Sequence, residues 1–152
     1  MEFVITKDEG MIPFVLSQIL DTCVNGITLS DPDQEDNPIV YANEAFEWIT
    51  GYSRDETIGR NCRFLQGEDR DQEGIQRIRE AIRDVKPVTV TLRNYKKDGT
   101  LFYNQFSIRP LFDRQDNLIY YLGIQYDVTN QVEAEKELKE LNALIKHADS
   151  EK

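Results

Sequence analysis

Histidine, tryptophan and cysteine are scarce in this chain, with one, one and two copies in 152 residues. Two cysteines, Cys23 and Cys62, cannot build a disulfide framework for a chain of this length, so both thiols read as free and the compartment as a reducing cytoplasm. His147 stands alone in a charged tail with no second His or Cys at metal-ligand spacing, and no metal site is expected. No apolar run approaches the roughly 20 residues of a membrane span. The N-terminus lacks a basic segment followed by an apolar run, so no secretory signal is read there. Positive charge is also in short supply. With 18 Lys and Arg against 28 Asp and Glu the net charge is −10, which argues against nucleic acid as a direct partner, because phosphate binding needs a basic footprint. No Gly-rich phosphate loop, Ser/His/Asp arrangement or internal repeat is visible either.

What is present fits one domain with flanking helices. Residues 1–10 are polar and read as a frayed start; Pro13 then suits the first turn of a helix carrying Val15, Leu16, Ile19, Leu20 and Cys23 at helical spacing. Strands are expected at Gly26 to Ser30 and Ile39 to Ala42, joined by a loop rich in Asp, Asn and Pro. Asn43 can cap a short helix with Ala45, Phe46, Trp48 and Ile49, and Ser53 with Glu56 forms a capping box. Asp71 can cap a longer helix whose apolar stripe is Ile75, Ile78, Ile82 and Val85. Arg79 lies in that stripe, where a guanidinium is costly to bury unless an anion meets it; a surface pair with Glu80 or Asp84 is the plain alternative. Three strands follow: Val88 to Tyr95, Leu101 to Leu111, and Leu118 to Val128, with turns at Lys97-Asp98-Gly99 and Asp113 to Asn117.

Strand period fixes which side chains share a face. Leu92 and Asn94, then Asn104 and Phe106, then Gly123 and Gln125 do so on the three long strands. Each apolar face thus carries one carboxamide, and a buried amide without a partner costs about 1–3 kcal/mol. The other face of the last strand, with Tyr120, Leu122, Ile124 and Tyr126, is apolar too and needs a cover. Beyond Asn130 the chain is charged and helical, with Ala134, Leu138, Leu141, Ile145 and Ala148 in a heptad seam that can pair in a dimer or lie back on the sheet.

The densest chemistry is in Gly59-Arg60-Asn61-Cys62-Arg63-Phe64-Leu65-Gln66-Gly67, where a thiol, two guanidiniums and two carboxamides share nine positions. Together with Asn94-Tyr95, Asn104 and Gly123-Ile124-Gln125, in order and at matching spacing, it makes the stretch from Gly26 to Asp127 resemble LOV domains, the blue-light-sensing branch of the PAS superfamily. The resemblance implies an α+β PAS/LOV fold: a five-stranded antiparallel sheet with helices on one face and helices flanking both ends. The corresponding divisions are an N-terminal flanking helix over 1–25, a flavin-binding core over 26–128 and a C-terminal helix over 129–152.

It also implies a cofactor, FMN, with FAD or riboflavin as alternatives. Asn94 and Asn104 would meet the pyrimidine edge, Gln125 the N5 edge, and Arg63 and Arg79 the phosphate. Asn61 and Gln66 would flank the ribityl chain and ring, with Leu65, Ile78, Leu92, Phe106 and Gly123 as further contacts and Thr28 near the N5 end. In the family, light drives the addition of the Cys62 thiol to flavin C4a, and the reaction reverses in the dark; Gln125 relays the change. The reading is a sensor that turns over no substrate, resembling a short LOV protein or an excised module. It would form a homodimer through its terminal helices and outer sheet face and signal to a downstream protein. Two other readings stay open: a flavin-dependent redox enzyme, and a flavin-free PAS interaction module.

Overall fold

Alternating apolar and polar residues build the sheet, and the same alternation sets one of its faces toward a cavity. In the computed structural model, which describes residues 14–151, a helix α1 (Phe14–Asp21) precedes strands β1 (Gly26–Ser30) and β2 (Ile39–Ala42). Helices α2 (Glu44–Thr50) and α3 (Arg54–Thr57), a 3-10 helix (Cys62–Gln66) and helix α4 (Glu73–Arg83) follow. Strands β3 (Val88–Tyr95), β4 (Leu101–Phe112) and β5 (Leu118–Asp127) and helix α5 (Thr129–Ser150) complete the chain. The expected polar start and the role of Pro13 lie outside the described residues.

The strands form one antiparallel sheet in the order β2-β1-β5-β4-β3. Register pairs Leu92 with Asn104 and Phe106 with Gln125, so the carboxamides of three strands share one face. Against that face Ile75, Val90, Leu92, Phe106, Ile108 and Tyr121 form the main apolar cluster, with Ile78 and Ile82 of α4 packed on it. A second cluster joins Ala42, Phe46 and Leu65.

Asn43 does more than cap α2. Its Oδ1 accepts from Ile27 N (2.8 Å) and Phe46 N (3.1 Å), and its Nδ2 donates to the Leu20 and Asn25 carbonyls (2.8 and 3.0 Å). One buried amide thereby ties α1, β1 and α2 together with all its bonding capacity used. The capping box at Ser53 and Glu56 is also present.

Two expectations about α4 are corrected, and two further observations bear on the surface. The α4 helix is capped at Gln72, not Asp71, and without a side-chain bond, because the Gln72 amide is drawn to the edge of β3. The α4 stripe ends before Val85, which has φ of 53° and is exposed: Lys86 N bonds back to Ala81 O and Val85 N to Ile82 O, closing the helix. Trp48, on α2, is 64% exposed. Helix α5 has no buried residue and does not fold back to cover the outer face of β5; Leu138, Leu141 and Ile145 are 57%, 54% and 51% exposed. No helix among the described residues is long and apolar enough to cross a membrane.

Candidate functional site

The nine-residue signature folds as a capped 3-10 turn. Asn61 is its N-cap, its Oδ1 accepting from Arg63 N at 3.0 Å while its Nδ2 donates to Asp36 O at 2.7 Å. Gly67 ends it with φ of 56° and ψ of −130°, a conformation open to Gly and strained for other residues. The turn thus has both ends fixed by its own sequence, with Leu65 and Gln66 buried and Cys62 presented on the inner side.

That inner side is one wall of a cavity of about 240 Å³ between the 3-10 turn, α4 and the sheet. Cys62, Leu65 and Gln66 line it from the turn, and Ile75, Ile78 and Ile82 from α4. The sheet contributes Leu92, Asn94, Asn104, Phe106, Ile108 and Gln125. Three guanidiniums reach the same cavity, those of Arg63, Arg70 and Arg79, in a chain whose net charge is −10.

The amides are ordered by their neighbours. Asn94 and Asn104 are 2% and 1% exposed, and Asn104 Nδ2 donates to Asn94 Oδ1 at 2.9 Å. Asn94 Nδ2 donates to Arg93 O at 3.0 Å, and Asn104 Oδ1 accepts from Tyr126 N at 3.2 Å. Gln125, equally buried, is left half-satisfied: its Nε2 reaches Thr28 Oγ1 only at 3.5 Å, and its Oε1 has no partner. Gly123 makes room for this pair, since a Cβ there would stand 2.5 Å from Thr28 Oγ1 and 3.0 Å from Phe106 Cε2.

Burial pushes the Cys62 thiol up to about 11, against the smaller opposing pull of Arg63. The residue keeps some surface toward the cavity, yet the protein crowded around its sulfur holds it as a neutral thiol across the physiological range. Cys23 lies apart, its Sγ donating to Ile19 O at 3.6 Å.

Of the residues expected at the site, Asn61, Cys62, Arg63, Leu65, Gln66, Ile78, Arg79, Leu92, Asn94, Asn104, Phe106 and Gln125 are brought together. Thr28 and Gly123 are not on the cavity wall; they stand behind Gln125. Arg79 forms no ion pair with Glu80 or Asp84: Asp84 is held by Arg83, and Glu80 accepts from Gln76. Arg63 pairs with Asp36 at the cavity. Arg70 and Asn37 were missed. Arg70 donates its Nε to Gly67 O at 2.9 Å, and Asn37 enters the wall from the β1–β2 loop with φ of 47°. No strand or helix period reaches either position, so only the local run Asn37-Pro38 and the three-residue step from Gly67 to Arg70 could have pointed there.

Two buried polar atoms on the wall therefore lack partners, Gln125 Oε1 and Asn37 Oδ1. An unpaired buried acceptor costs about 1–3 kcal/mol, and a turn of the Gln125 or Asn37 amide toward a polar group in the cavity would offset it. Apolar walls, amides offering both donor and acceptor, and several guanidiniums are the set that a flavin, with its flat ring, polar pyrimidine edge and anionic phosphate tail, would need. The residues present fit that group.

Comparison with known proteins agrees. The PAS domain family model matches residues 24–130. The blue-light photoreceptor of Listeria monocytogenes serovar 1/2a is 45% identical over 134 residues, covering 86% of this chain and 53% of that protein. The chain thus spans about half the length of that relative. Among solved structures, an RNA-binding light-oxygen-voltage receptor superposes with a TM-score of 0.80 at 36% identity, over 97% of this chain and 42% of that one. The structure described as "Flavin Analogue Sheds Light on Light-Oxygen-Voltage Domain Mechanism" superposes with a TM-score of 0.71 at 38% identity, over 92% of this chain and 98% of that one. With a family match over most of its length and a LOV domain of similar extent at this identity, the chain belongs to the LOV domains, the flavin-binding, blue-light-sensing branch of the PAS superfamily.

Proposed function

We propose that the chain is a blue-light photoreceptor that binds FMN in the cavity beside Cys62 and signals through its terminal helices. The observation that carries this is the meeting, on one cavity wall, of a neutral buried thiol, the Asn94–Asn104 amide pair and the half-satisfied Gln125 amide. When bound, a flavin would supply a photoexcitable ring beside the Cys62 thiol, with chemistry that light would start and the dark would reverse.

The chain's own residues have separate tasks. Asn94 and Asn104 orient the pyrimidine edge. Arg63, Arg70 and Arg79 hold the phosphate, where the planar fork suits an oxyanion; three such groups favour a phosphorylated flavin over riboflavin. Burial keeps Cys62 protonated until light acts. Gln125 has opposite polarity at its two amide ends, so it answers an acceptor that becomes a donor by turning over. Its neighbours Ile124 and Tyr126 point to the other face of β5, where the change is passed on. A homodimer with the α5 seam paired, acting on a downstream protein in the cytoplasm, completes the reading. It describes a sensor without turnover.

The test is the visible absorption spectrum of the purified protein before and after blue light. A flavin band that bleaches and recovers in the dark is expected. A colourless protein returns the chain to a flavin-free interaction module. A flavin that turns over steadily with an added reductant, without bleaching, makes it a redox protein.

A further inference from the structure

We propose that Gln72, Arg93 and Asp69 form a positioning device outside the cavity that sets which end of the Asn94 amide faces inward. The inference rests on the flavin reading of the cavity.

Strand β3 is an edge of the sheet, so Arg93 has no neighbouring strand on its outer side. The Gln72 side chain takes that strand's place. Its Oε1 accepts from Arg93 N at 2.8 Å, and its Nε2 donates to Arg93 O at 3.0 Å and to Asp69 O at 2.7 Å. The Arg93 guanidinium returns to the same loop, its Nε and Nη2 donating to the two Asp69 carboxylate oxygens at 2.7 and 2.8 Å. Tyr95 OH donates to that carboxylate at 2.7 Å. The Arg93 peptide is thus pinned from outside at both its N–H and its C=O.

The pinned carbonyl is also the acceptor for Asn94 Nδ2. With one N–H of Nδ2 engaged by the Arg93 carbonyl, Asn94 turns its Oδ1 toward Asn104, whose Nδ2 donates to it. Asn104 is set the other way round, because Tyr126 N holds its Oδ1. The cavity therefore meets an acceptor on Asn94 beside a donor on Asn104. A cyclic imide edge, N–H next to C=O, is the complement of that pair. If Asn94 turned over, its Nδ2 would face Asn104 Nδ2, donor against donor, and the match would be lost. Gln72, Arg93 and Asp69 touch no ligand in this scheme; they act through Asn94.

The test uses Gln72→Ala and Arg93→Gln in the full chain, read two ways. In the flavin-free protein, hydrogen exchange of the Asn94 side-chain amide is followed by nitrogen-15 NMR, with the Asn104 amide as internal reference. Gln72→Ala is expected to speed Asn94 exchange roughly tenfold, the effect of about one lost hydrogen bond, and to leave Asn104 less affected. Arg93→Gln, which keeps the Gln72 bonds to the backbone but loses the carboxylate clamp, is expected to give a smaller acceleration; it carries the test if Gln72→Ala does not fold. In the second reading, titration with riboflavin is expected to show weaker binding in both variants than in the parent. Unchanged Asn94 exchange in a folded variant, even with a lower melting temperature, overturns the device, because a purely structural clamp would do only that. Faster exchange with unchanged riboflavin affinity overturns its link to the ligand. A parent that binds no riboflavin defeats the flavin reading instead, and the exchange experiment still stands.

Discussion

The cavity wall and helix α5 meet the rest of the chain in opposite ways. On the wall Asn61, Arg63, Arg70, Asn94 and Asn104 are bonded within the chain, while two buried side-chain oxygens of wall residues, Gln125 Oε1 and Asn37 Oδ1, have no partner. Along α5 no residue is buried, and among the described residues the side chains that bond it to the sheet are those of Thr129, Gln131 and Lys136, all in its first two or so turns. The apolar seam further along is open to solvent. The contrast separates two kinds of incompleteness. The wall lacks a small polar group of defined shape, while the tail lacks an apolar surface, which a second protein body can supply.

The sharpest way to break the wall side is at the thiol. Cys62→Ala is expected to keep flavin, since the amides and arginines remain, and to lose light-induced bleaching completely; Cys23→Ala should leave the photocycle intact. A bleaching, dark-recovering Cys62→Ala protein would remove the thiol from the chemistry. Next in size is the phosphate end. Arg63→Gln or Arg79→Gln removes a charge-assisted bond worth roughly 1.5–3 kcal/mol, about one to two decades in flavin affinity measured by dilution and fluorescence. Unchanged loading in the Arg79→Gln protein would return that residue to the solvated surface.

The tail side is tested by Leu141→Glu, which puts a charge in the seam. The expected outcome is a dimer weakened by at least about tenfold in sedimentation, with the melting temperature of the core little altered, because Leu141 lies exposed on α5. A parent that is monomeric at high concentration in dark and light would end the dimer reading.

The smallest effect is an acid one. The Arg93 guanidinium beside Asp69, helped by Tyr95, lowers the carboxyl from the ordinary 3.8 to about 2. A carboxyl depressed in the folded state stabilises above its unfolded value and loses that contribution as pH falls through the folded one. The parent should therefore lose stability between pH 3.8 and about 2, and Asp69→Asn should lack that part of the acid transition.

What the sequence made legible follows the same division. The bounds of β1, β2 and β3 match the expected ones, and Asn94, Asn104 and Gln125 face inward as a period of two requires, because a one-residue slip would expose a whole apolar face. The start of α4 was misjudged because Gln72 is held by Arg93, a residue 21 positions away that no local pattern reveals. The end was misjudged because Val85 takes the left-handed position where Gly is the usual signal. Arg70 and Asn37 reach the cavity from irregular backbone, outside any period. The seam of α5 was readable, but its partner was not, since a heptad pattern states that a surface is apolar and leaves open what covers it.

Trp48 offers an experimental consequence of its own. It is the one tryptophan of the chain, and its indole lies in solvent on α2. Intrinsic emission excited at the indole will therefore be that of a hydrated ring in the native state as well as the denatured one. Unfolding followed by that signal will look flatter than it is, and iodide will quench the native protein readily. For the same reason, any drop in Trp48 emission on adding flavin reports energy transfer to the ligand rather than a change of packing around the ring, which makes this residue a ready optical ruler for cofactor loading.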